Sequence, residues 1–191
     1  MYGRRALSLH VKAKKIAIGG LMLAFSIVSM LLGNILESNT VFFLALASFF
    51  VGIIIREFGM KTGCAFYLAG VLLGVIVVPN KLYVVTYAAM GIYILLSESV
   101  WRQIRKMLGN NTMFSIEQCK VALWVIKYAI FNLMYIPAVL GCSKLLFGKQ
   151  LSLGMTIGVL IAGQIGLFIY DKAYDYAVGI IWNKIRGKLF N

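Results

Sequence analysis

Apolar runs alternate with short polar breaks along the whole chain. They cover about 16–36, 41–55, 63–78, 82–96, 121–140 and 151–170. A helix needs ~20 apolar residues to cross a bilayer core. The first, fifth and sixth runs reach that length. The second to fourth are shorter, and a locally thinned bilayer or packing among longer helices accommodates them. The breaks carry turn chemistry, as in Glu37-Ser38-Asn39-Thr40 and Pro79-Asn80-Lys81. The pattern predicts an all-α integral membrane protein, a six-helix transmembrane bundle forming a single domain over 1–191. The alternative topology makes the third and fourth runs a re-entrant pair. Between the fourth and fifth runs, Trp101, Ile104, Met107 and Leu108 recur at helical spacing opposite Arg102, Arg105 and Lys106. That predicts an amphipathic interfacial helix within 97–120, closed by a loop at Gly109-Asn110-Asn111.

Composition agrees with this pattern. Hydrophobic residues make up 61% of the chain and charged residues 13%, against 45–50% and ~25% in soluble domains. The net charge is +13. No nucleic-acid motif accompanies it, so contact with anionic headgroups and the positive-inside rule account for it. Segments 1–15, 97–120 and 171–191 carry Arg with several Lys, and the turn 56–61 carries Arg56. The alternating loops, at Glu37, Lys81 and Lys144 to Lys149, carry no Arg. The expected orientation is multi-pass in a bacterial plasma membrane with both termini cytoplasmic. The apolar run from Ile16 continues too far for a cleaved leader and reads as a retained span.

Catalytic signatures are missing from the sequence. His10 is the single histidine, and it is distant in sequence from Cys64, Cys119 and Cys142. No HExxH, GxSxG, P-loop or GxGxxG occurs. The expectation is a protein that is not an enzyme and that holds no metal and no cofactor.

Two kinds of residue remain informative. Small residues recur at helical spacing: Ala13, Ala17, Gly20 and Ala24 around the first run, Gly70 and Gly74 in the third, and Gly154, Gly158, Ala162 and Gly166 in the sixth. Such faces let another helix approach closely. Polar residues inside apolar runs are costly and therefore candidates for function. An outer set, Asn34, Glu37, Tyr83, Tyr87, Asn132 and Tyr135, would suit a small planar polar ligand. An inner set places Lys127 at a depth similar to Asp171 and Glu57, either of which could pair with it.

The stretch Lys14-Lys15-Ile16-Ala17-Ile18-Gly19-Gly20 with Ala24, on a chain of this size, resembles the first helix of substrate-capture (S) components of energy-coupling factor transporters. The segment Leu44-Ala45-Leu46-Ala47-Ser48 through Arg56-Glu57-Phe58-Gly59, then Val78-Pro79-Asn80-Lys81, looks like a group of small uncharacterised bacterial six-helix membrane proteins. The first resemblance implies a micronutrient importer subunit that captures a vitamin-like ligand on its outer face. It implies that Ala13, Ala17, Gly20 and Ala24 dock on an energy-coupling transmembrane subunit driven by ATPases. The alternative is a non-enzymatic membrane subunit or assembly partner with no ligand.

Overall fold

The computed structural model describes residues 2–110, 116–141 and 152–189. The Lys144 to Lys149 loop, Cys142 and Leu151, where the sixth run was expected to begin, lie outside them, as does the side chain of His10. The elements are α1 (Tyr2–Ile35), a 3-10 turn (Glu37–Asn39), α2 (Thr40–Phe58), α3 (Met60–Val77), α4 (Lys81–Asn110), α5 (Ile116–Gly141), α6 (Leu153–Tyr176), a π-helical turn (Ala177–Ile181) and α7 (Trp182–Leu189). No strand occurs among the described residues.

Six helical stretches are long and apolar enough to cross a membrane: Lys15–Ile35, Glu37–Phe58, Met60–Val77, Lys81–Lys106, Cys119–Gly141 and Leu153–Lys184. The third and fourth runs, short by sequence, gain length because flanking polar residues join the helices. The fourth does not end at Leu96. Its helix continues unbroken to Asn110, so the stretch expected as a separate amphipathic helix is the C-terminal part of α4. Pro137 lies inside α5, which runs on to Gly141.

The breaks are built as their residues dictate. Gly59 alone joins α2 to α3, at φ 90° and ψ 167°, a region essentially restricted to glycine. Asn80 Oδ1 accepts from the Leu82 amide at 3.0 Å and so starts α4. Lys81 Nζ donates to the carbonyls of Val75 (2.6 Å) and Val78 (2.9 Å). It places a cation where α3 leaves unpaired carbonyls.

The chain divides into two compact units, Met1–Leu95 and Leu96–Asn191. In the first, α2 is central. Its first half turns Leu44, Ala47, Ser48 and Val51 inward at helical spacing, and from Val51 to Ile55 every residue is buried, so the helix is enclosed on all sides there. Ser26 of α1 donates across to the Ala47 carbonyl at 3.0 Å. Helices α3 and α4 exchange tyrosines: the Tyr87 phenol lies on Gly70, and the Tyr67 ring lies on Gly91. Tyr67 also donates to the Ala88 carbonyl at 3.1 Å. In the second unit, α6 and its extension bury Leu167, Asp171, Tyr174, Val178 and Trp182.

Candidate functional site

Polar side chains of the second unit converge along the facing surfaces of α5 and α6. Lys127 Nζ lies 2.7 Å from Asp171 Oδ1 and 2.9 Å from Oδ2, and both residues are buried. Further along, Asn132 and Gln164 bond reciprocally: Gln164 Nε2 donates to Asn132 Oδ1 at 2.7 Å, and Asn132 Nδ2 donates to Gln164 Oε1 at 3.4 Å. Tyr135 then donates to the Val159 carbonyl at 2.7 Å, with its ring on Gly163. Pairing partners whose numbers rise on one helix as they fall on the other define an antiparallel register. The three contacts 127/171, 132/164 and 135/163 obey it. Tyr174, one turn beyond Asp171, donates to Glu98 of α4 at 2.7 Å. Each group of this column meets a partner, as buried polar groups in an apolar medium require.

The ion pair is bounded by aromatic rings. Trp124 and Phe168 stack across α5 and α6, with centroids 5.8 Å apart and planes at 27°. Lys127 Nζ lies 5.7 Å from the Trp124 ring centroid. Lys172 Nζ lies 5.6 Å from that ring and 5.8 Å from Phe168.

The residues proposed for an outer ligand are distributed over both units. Asn34 is half-buried near the end of α1, Glu37 is exposed in the 3-10 turn, and Tyr83 is half-buried at the start of α4. Those ends of α1 and α4 meet at Gly74 of α3, where a Cβ would stand 3.2 Å from Val84 and 3.3 Å from Met30. Tyr87 is fully enclosed, and its hydroxyl has no hydrogen-bond partner among the described residues. Asn132 and Tyr135 belong to the second unit and are occupied by Gln164 and Val159. Three of the six residues thus have their polar groups enclosed or engaged by helix packing.

Glu57 lies half-buried at the end of α2, in the first unit, while Lys127 takes Asp171 as its partner. The small-residue faces behave in two ways. Gly70 and Gly74 are filled from neighbouring helices. Ala13, Ala17, Gly20 and Ala24 are exposed, as are Gly154, Gly158, Ala162 and Gly166, and a Cβ at Gly20, Gly154, Gly158 or Gly166 would meet nothing within 4 Å. The stripe on α6 is therefore not the face that α6 turns to α5. Gly163, outside the stripe, serves there.

Sequence reading missed Gln164, Glu98, Tyr174 and Tyr67. A signal for the first and third was present. Gln164, Asp171 and Tyr174 stand seven and then three residues apart, on one helix face. Among the described residues no three His, Cys, Asp or Glu side chains stand together as a metal-ligand set. No protein-family model, curated protein or solved structure matches the chain.

Proposed function

We propose that this protein is a non-enzymatic integral membrane subunit that assembles with other transmembrane helices through small-residue faces on α1 and α6. The carrying observation is the contrast between its glycines. Gly70, Gly91 and Gly163 are each covered by a tyrosine, whereas Gly20, Gly154, Gly158 and Gly166 are bare. Helices gain little hydrophobic drive from one another in lipid, so close backbone approach at small residues is a main source of association. The last candidate span also has the most surface to offer. Only 6% of its most apolar window is buried, against 50% for Glu37–Phe58.

A second reading is a special case of the first. Asn34 and Tyr83 stand half-buried where α1 and α4 meet. A vitamin-like ligand held there, with Ala13, Ala17, Gly20 and Ala24 docking on an ATPase-driven subunit, would make this a substrate-capture subunit of an importer. In either reading the termini and the 97–120 segment, rich in Lys and Arg, face the cytoplasm of a bacterial plasma membrane.

Native mass spectrometry of the protein purified from its own membranes tests both. Assembly predicts a defined partner or self-complex that Gly158→Leu or Gly20→Leu abolishes while thermal stability is kept. Wild-type protein that runs alone, or variants that keep the same complex, would refute it. The importer reading further requires a co-purifying small molecule and ATPase subunits.

A further inference from the structure

We propose that Lys172, seated on the Trp124 and Phe168 rings, binds the headgroup phosphate of an anionic phospholipid at the membrane–water boundary. The neighbouring charges isolate Lys172 for this role. Lys127, which also lies near Trp124, is neutralised by Asp171, which is 1% exposed. Lys172 is exposed, and its contacts among the described residues are the two rings. Ring faces hold an ammonium in place without removing its charge. Phe168 stands one turn before Lys172 on α6, which sets its ring beside the ammonium.

The height of the cluster fits a headgroup. Lys172 lies two residues past the end of the last apolar run at Tyr170, and Trp124 stands one turn into α5's apolar run, which opens at Val121. Tryptophan and lysine at that level mark the interface of membrane helices. Lys120 is exposed one turn before Trp124 and adds a second cation on the same α5 face. Basic residues grouped between transmembrane helices are the setting in which anionic headgroups are held. The inference rests on the membrane setting and is independent of the assembly proposal.

The test is lipid retention by the full chain. Protein in phosphatidylcholine nanodiscs doped with phosphatidylglycerol is extracted and weighed by native mass spectrometry, and its thermal unfolding is followed with and without the anionic lipid. Wild-type protein should retain phosphatidylglycerol over phosphatidylcholine and unfold later in its presence. Lys172→Gln should weaken retention about fivefold, Lys172→Arg should preserve it, and Lys61→Gln, on α3, should leave it unchanged. Equal retention by Lys172→Gln and wild type overturns the proposal. So does equal stabilisation by inorganic phosphate alone, which would assign the cation to a free anion.

Discussion

The phenol of Tyr87 stands where a side chain at residue 70 would have to go. A methyl group at Gly70 would clash with the Tyr87 hydroxyl, and the reverse pairing of Tyr67 with Gly91 lies one turn away on both helices. Each helix thus gives its neighbour one ring and receives one. Overpacking a filled site costs about 1–3 kcal/mol. Gly70→Ala and Gly91→Ala should both fall in that range by denaturant titration in detergent. Gly158→Ala should change stability by less than about 0.5 kcal/mol, because nothing lies near that position.

Removing one charge of the Lys127–Asp171 pair leaves the other buried alone. Lys127→Met is expected to cost about 3–5 kcal/mol. The double variant Lys127→Met, Asp171→Leu should be more stable than Lys127→Met, since it strands no charge. A double-mutant cycle on thermal unfolding reads the coupling. Additive losses would show that the two side chains do not depend on one another.

The Asn132–Gln164 amides form a reciprocal bond between two membrane helices. Such bonds average about 0.6 kcal/mol and reach about 1.7. Asn132→Leu should lose an amount in that range, and adding Gln164→Leu should lose little more. The same unfolding assay distinguishes this from two independent losses.

Gly59 is the whole connection between α2 and α3 and holds a conformation open to glycine alone. Gly59→Ala should destabilise the first unit by about 1–3 kcal/mol, although a Cβ there would meet no neighbour within 4 Å. Hydrogen exchange at the end of α2 should rise in that variant.

The six spans were legible because apolar length alone betrays them, and Pro79-Asn80 marks a break in any setting. Helix limits were less so. Lys81 joins α4 because its ammonium closes the end of α3, a three-dimensional event. Which face of α6 turns inward was misleading, since glycine spacing drew attention to Gly154 through Gly166. In a membrane helix the polar residues mark the interior better. Gln164, Asp171 and Tyr174 face partners, while the smooth stripe stays outside. The role of each tyrosine was illegible for a related reason. A tyrosine in an apolar run reads the same whether its ring fills a glycine notch or lines a pocket.

The buried ion pair also constrains how the chain is made. Its partners are 44 residues apart. At ~5–20 residues per second, Lys127 leaves the ribosome roughly 2–9 s before Asp171 does. During that interval α5 has to enter the bilayer with a lone ammonium, at a cost on the order of 3 kcal/mol by insertion measurements. Arrival of α6 ends that state, so the two helices are expected to leave the insertion machinery as a hairpin rather than one at a time.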